Sequence, residues 1–205
     1  MVAAYRAVES KSAKPLFKDP YAAALAGPIL DSPGFQPGSA AGGAASDAVR
    51  GVFDGSMLDR FAIRTRYVDD ALKAAVAAGA RQVVILGAGF DSRAWRLDAP
   101  GGGGRKPRAV YELDFARALA VPDEALAAGA AAGSYPRPIV KLAESRVAVP
   151  VDLASPTWPS QLLAAGFDKR LPTVWLMEGL SQYLEPDAVK ALVFCVGELS
   201  APKSR

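Results

Sequence analysis

Gln82–Leu86 is a five-residue β-branched apolar run that stops at Gly87-Ala88-Gly89, and this feature constrains the fold more than any other in the chain. A run this short, apolar at consecutive positions, reads as a strand buried on both faces of a parallel sheet, and glycines at its end mark a tight turn. Residues 109–113, 146–151 and 173–177 repeat the pattern. Helical stretches separate them. Residues 115–128 are alanine-rich, 159–165 stop at Gly166, and 186–199 place Val189, Leu192, Val193 and Val196 on one face. Strands that alternate with helices specify an α/β fold around a parallel sheet.

Upstream of these elements, Phe61, Thr65, Val68, Leu72 and Val76 recur at helical spacing until Gly79, with Ser56 and Asp59 as a capping box at the start. Residues 32–46, rich in Pro, Gly, Ala and Ser, and 99–107, with the run Gly101 to Gly104, read as loops.

Composition removes several functional classes. The chain has 205 residues, 51% of them hydrophobic, enough for one domain with a substantial core. It contains no histidine, which removes triads with a histidine base and histidine-ligated metal sites. Its single cysteine, Cys195, excludes disulfides within the chain and cysteine-rich metal sites, so no metal is expected and a reducing, cytoplasmic setting fits. No apolar run approaches membrane-spanning length, and residues 1–10 lack the pattern of a secretory signal. Net charge is +3, with basic and acidic residues interspersed, so neither nucleic acid nor membrane is expected as a partner.

In a parallel sheet, ligand-binding groups collect just beyond the carboxyl ends of the strands. That rule selects Gly87 and Gly89 after the first strand, Asp114 after the second, Asp152 after the third and Glu178 after the fourth. Glycines let a nucleoside-bearing cofactor approach backbone N–H groups at the start of the next helix, and a carboxylate after the second strand is placed to accept from two ribose hydroxyls. Each residue also has a purely structural reading. The glycines suit a tight turn, Asp114 and Asp152 suit local caps, and Glu178 suits a water-facing helix start. A nicotinamide-dependent oxidoreductase would use a similar glycine turn and acid, but the third glycine, expected three residues after Gly89, is Ser92.

Several motifs occur in order: Pro15-Leu16-Phe17-Lys18-Asp19-Pro20-Tyr21, Arg64-Thr65-Arg66, Val84-Ile85-Leu86-Gly87-Ala88-Gly89-Phe90-Asp91-Ser92-Arg93, Glu112-Leu113-Asp114, Val151-Asp152-Leu153 and Leu176-Met177-Glu178-Gly179-Leu180. With them the sequence resembles the leucine carboxyl methyltransferase family. The resemblance implies a Rossmann-like class I methyltransferase sheet with helices on both faces and S-adenosyl-L-methionine as cofactor. By the same resemblance Gly87, Gly89 and Arg66, with Arg64 as a substitute, hold the methionine moiety. Asp114 takes the ribose, Asp152 and Leu153 the adenine edge, and Glu178 lies by the sulfonium. The pairing is chemically sensible, since the cofactor offers a carboxylate to an arginine and hydroxyls, an amine and an ammonium to acids. The implied reaction is direct displacement onto a small-molecule or protein carboxylate, or another oxygen acceptor, and no catalytic residue is assigned.

Further expectations follow. Asp91 and Arg93 match the family's Asp-Thr-Arg, with Ser92 in place of threonine, and read as a clamp on the turn. Trp95, Trp158 and Trp175 read as packing residues, and Tyr183 as an aromatic near the site. Residues 1–78 are expected as a helical and loop segment covering the cofactor site, and 79–205 as an incomplete cofactor-binding α/β domain. By the resemblance the chain stops where a fifth strand begins, with about four of the usual seven strands present. The fourth strand is therefore expected to leave an unpaired edge and helix 186–199 to lose neighbours for Leu192 and Val196. The chain alone is then expected to be aggregation-prone and without methyl transfer. A non-catalytic cofactor- or partner-binding module stands as the alternative.

Overall fold

The computed structural model describes residues 2–30, 55–100, 106–135 and 137–205. In chain order the elements are α1 (Val2–Ser10), α2 (Ala22–Leu30), α3 (Gly55–Ala77), β1 (Gln82–Leu86), α4 (Arg93–Arg96), β2 (Ala109–Asp114), α5 (Ala116–Ala131), β3 (Ser145–Pro150), α6 (Trp158–Ala164), β4 (Thr173–Met177), a 3-10 turn (Ser181–Tyr183) and α7 (Pro186–Glu198). Two compact units divide them: Met1–Asp70 with Glu124–Pro138, and Ala71–Asp123 with Ile139–Arg205. The division falls inside α3 and inside α5. The expected loop 32–46, the glycine run Gly101 to Gly104 and the side chain of Ser56 lie outside the described residues.

The first unit packs α1 against α2. Its anchor is an ion pair between the Arg6 Nε and the Asp19 Oδ2 at 2.8 Å, with both side chains buried. Breaking a buried pair of this kind leaves an uncompensated charge and costs about 3–5 kcal/mol. The Tyr5 ring stacks on Phe61 with centroids 4.5 Å apart.

The second unit is built on a four-stranded parallel sheet in the order β3-β2-β1-β4. Register places Val84 between Tyr111 and Trp175, and Leu86 between Leu113 and Met177. Side chains alternate across the pleat. On one face Val84, Leu86, Tyr111 and Leu113 meet Trp158 and Leu162 of α6, Phe167, and Leu192 of α7. On the other, Val83, Ile85, Val110 and Glu112 are also buried. The sheet is thus covered on both sides, which is why its central strands run apolar through consecutive positions, residues 83–86 in β1 and 109–111 in β2, rather than at alternate ones. Each buried aliphatic side chain contributes roughly 1.5–3 kcal/mol.

Two expectations about the far edge are corrected. Leu192 is 1% exposed and Val196 packs against the core, while Val193 and Phe194 are 54% and 70% exposed. The helix turns the stripe Leu192, Cys195, Val196 and Leu199 toward the sheet, and this stripe has the same 3-4 spacing as the one read from the sequence. The edge of β4 is also partly paired. The Trp175 N–H donates to the Arg205 carbonyl at 2.8 Å, the Arg205 N–H donates to the Thr173 carbonyl at 3.0 Å, and the Thr173 N–H donates to the Ser204 hydroxyl at 3.1 Å. The two main-chain bonds straddle Val174 as in a parallel ladder.

Candidate functional site

β1 lies between β2 and β4, so the order of the strands reverses beside it, and the loops after β1 and β4 border the crevice that such a reversal opens. Gly87 and Gly89 begin that crevice with φ of +69° and +47°, a region that costs other residues roughly 1–2 kcal/mol. A Cβ on Gly87 would stand 3.0 Å from the Leu180 Cδ1, so the glycine also allows the loop after β4 to approach. The turn is tied to β2 by the Gly87 and Ala88 N–H groups, which donate to the Leu113 carbonyl at 2.8 and 3.1 Å.

Asp114, at the end of β2, faces this loop. Its Oδ2 accepts from the Gly89 N–H at 2.8 Å and its Oδ1 from the Phe115 N–H at 2.7 Å. A Cβ on Gly89 would have the Asp114 Oδ2 as its nearest neighbour at 3.9 Å, so the absent side chain leaves open space beside the carboxylate. Phe115, 61% exposed, adds an aromatic face next to that acid. The sequence reading counted Phe115 as helix. Its signal was a large aromatic directly after a strand-ending acid, and α5 in fact begins one residue later.

The helix after the glycine loop is shorter than the reading of its N–H groups as a ligand site requires. α4 has four residues, and its first N–H, on Arg93, donates to the Asp91 Oδ1 at 2.7 Å. The Arg93 guanidinium pairs through Nη1 with the Asp91 Oδ2 and through Nη2 with the Glu178 Oε2 at 2.8 Å. Glu178, beyond β4, is therefore joined to the loop beyond β1.

The other expected residues are placed as follows. Asp152 is exposed and closes a local turn, its Oδ1 accepting from the Ala154 N–H at 2.9 Å and its carbonyl from the Ser155 N–H at 3.0 Å. Leu153 is 7% exposed with its side chain in the core, so a ligand can meet only its backbone. Arg66 belongs to the first unit. It pairs with Asp70 at 2.7 Å, one turn along α3, and donates to the Leu16 carbonyl at 2.9 Å. The Arg64 guanidinium lies over the Phe61 ring at 4.6 Å. Tyr183 is 78% exposed on the 3-10 turn, whereas Trp95 and Trp158 are buried and Trp175 packs against the core.

Glu112 carries a second buried charge cluster on β2. Arg146 of β3 donates to its Oε2 from Nε at 2.8 Å and Nη2 at 2.7 Å, reaches Asp123 at 2.9 Å, and stacks on Trp95 at 4.5 Å. Among the described residues the Oε1 has no hydrogen-bond partner. Burial pushes the Glu112 carboxyl up to about 7, because desolvation outweighs the opposing pull of Arg146, and the Asp91 and Asp123 charges add to the rise.

A cavity of about 340 Å³ in the first unit is lined by Ala7, Ser10, Lys11, Lys18, Asp19, Pro20 and Ala23, none of them a glycine-loop residue. Among the described residues, no group of three His, Cys, Asp or Glu side chains could hold a metal, and no helix is long and apolar enough to cross a membrane.

Comparison with known proteins now bears on the site. The sequence profile of the leucine carboxyl methyltransferase family matches residues 1–196. A Frankia alni protein named "Putative S-adenosyl-L-methionine-dependent methyltransferase" is 42% identical over 204 residues, covering 100% of this chain and 64% of its own length. Proteins of the same name from Mycolicibacterium gilvum and Mycobacteroides abscessus are each 41% identical across 100% of this chain, which covers 62% and 63% of them. The chain thus spans less than two thirds of these relatives. The matched span includes the glycine turn after β1 and the acid after β4, and the chain belongs to the leucine carboxyl methyltransferase family.

Proposed function

We propose that the chain forms the cofactor-binding part of an S-adenosyl-L-methionine-dependent methyltransferase whose acceptor is a carboxylate or another oxygen group. The observation that carries this reading is the pairing of Asp114 with the glycine loop: a bare backbone at Gly89 with a strand-ending carboxylate 3.9 Å from the missing Cβ. The donor set suits the cofactor. Two of the four acceptor positions of Asp114 are used by the Gly89 and Phe115 N–H groups, which leaves capacity for ribose hydroxyls. Phe115 offers an apolar face for a base, Asp152 a carboxylate for an exocyclic amine and Leu153 its main chain. Glu178 supplies negative charge for the cationic end. Arg66 is assigned to the methionine carboxylate on the family resemblance alone.

When bound, the cofactor supplies an electrophilic methyl group whose reactivity is its own. The residues bind and orient, the source of rate that proximity and alignment provide. An acceptor carboxylate is already an anion at neutral pH and needs no proton removed, which agrees with a chain without histidine. The rival dinucleotide reading is disfavoured by the four-residue α4 and by the buried Ser92 where that fingerprint has its third glycine. Calorimetry with S-adenosylmethionine, S-adenosylhomocysteine and NAD tests the proposal. Binding of the first two is expected, and binding of NAD alone would overturn it.

A further inference from the structure

Arg93 is 4% exposed and sits between two carboxylates, Asp91 at 9% and Glu178 at 14% side-chain exposure. Its backbone N–H is held by the same Asp91, so the guanidinium leaves a rigid turn rather than a free loop. Its two η-nitrogens point to different carboxylates. One anchors to the residue that shapes the β1 turn, and the other reaches across the parallel β1–β4 pair, where Leu86 stands beside Met177, to the acid immediately after Met177. Glu178 follows directly on β4 and precedes Gly179, whose φ is +70°, so its backbone position alone does not fix the carboxylate. The fork of an arginine does, because a planar guanidinium holds two carboxylates at set directions, which a point-like ammonium cannot.

We infer that Arg93 is a positioning residue: it acts through Glu178, aiming that carboxylate at the cationic end of the cofactor, and is more than a brace for the turn. The inference rests on the proposed cofactor reading and adds to it a residue that touches no ligand. Arg93 thereby couples the geometry of the β1 loop to that of the β4 loop. A lysine at 93 keeps the charge while losing the fork.

The test is a double-mutant cycle on the full chain, with S-adenosylmethionine as the calorimetric probe. Arg93→Lys and Glu178→Gln are each expected to weaken binding on the order of tenfold, and Arg93→Lys in the Glu178→Gln background is expected to cost nothing further. Melting temperatures and circular dichroism accompany each variant, because a merely structural arginine would shift the melt and leave the affinity of the folded fraction intact. If Arg93→Lys does not melt cooperatively, Asp91→Asn, which removes the guanidinium's other anchor, replaces it in the cycle. Additive losses, or a folded Arg93→Lys with unchanged affinity, would overturn the positioning role. Wild-type affinity in Glu178→Gln would remove Glu178 from the site and overturn this inference with it, while binding to the rest of the site would still stand or fall by the calorimetry above.

Discussion

Glu112→Gln should change how stability depends on pH. The folded carboxyl is raised from 4.5 to about 7, chiefly because burial disfavours its charged form. A raised acid is held at full stability below its unfolded value, and stability is lost as pH rises toward the folded value. Between pH 4.5 and pH 8 the wild-type protein should therefore lose about 3 kcal/mol through this group, since each pKa unit is worth about 1.36 kcal/mol. The orphaned Oε1 explains why Arg146 does not cancel that cost, for the guanidinium reaches one oxygen and divides its remaining charge with Asp123. Glutamine keeps the shape and an acceptor for Arg146 but cannot ionise. Urea unfolding of both proteins at pH 4.5, 6, 7 and 8 reads the difference directly, because every other titrating group is shared. The gap between wild type and variant should move by about 3 kcal/mol in favour of the variant as pH rises. Parallel curves would refute the reasoning and mean that Glu112 ionises without penalty.

Asp114→Ala should weaken S-adenosylmethionine binding by about 1–3 kcal/mol in calorimetry. Because Asp114 also holds the Gly89 and Phe115 N–H groups, it should lower the ligand-free melt as well; unchanged affinity in a folded variant would take Asp114 out of the site. Arg66→Ala should weaken S-adenosylmethionine and S-adenosylhomocysteine about equally, by roughly 1.5–3 kcal/mol, since both share the carboxylate. Strong discrimination between the two ligands would contradict that role, and no effect on either would leave Arg66 as the partner of Asp70 and Leu16 seen here. Phe194→Lys should reduce light scattering of the purified chain with little change in melting temperature, because Phe194 is 70% exposed; a melt lowered by several degrees would show that it packs against the protein after all.

What the sequence determined by itself was whatever local chemistry decides. Gln82–Leu86 and Thr173–Met177 are strands at the boundaries expected, because apolar β-branched runs closed by glycine have few other uses in a chain of this pattern. The glycine turn after β1, the acids at the end of β2 and just after β4 and the family itself were legible for the same reason: each is a residue type at a fixed offset from a strand end. Tertiary structure decided what depends on neighbours distant in sequence. The 3-4 spacing in α7 admits two overlapping stripes, and only the sheet beneath it selects Leu192, Cys195, Val196 and Leu199. Leu153 stands beside the exposed Asp152 in the sequence yet turns its side chain into the core at the start of the turn that Asp152 closes. The pairing of Arg93 with Glu178 joins residues 85 positions apart through β1 and β4, and the buried charge of Glu112 exists only because β3 brings Arg146 against it. An ion pair is a matter of distance and desolvation, and neither quantity is set until the strands have found their order.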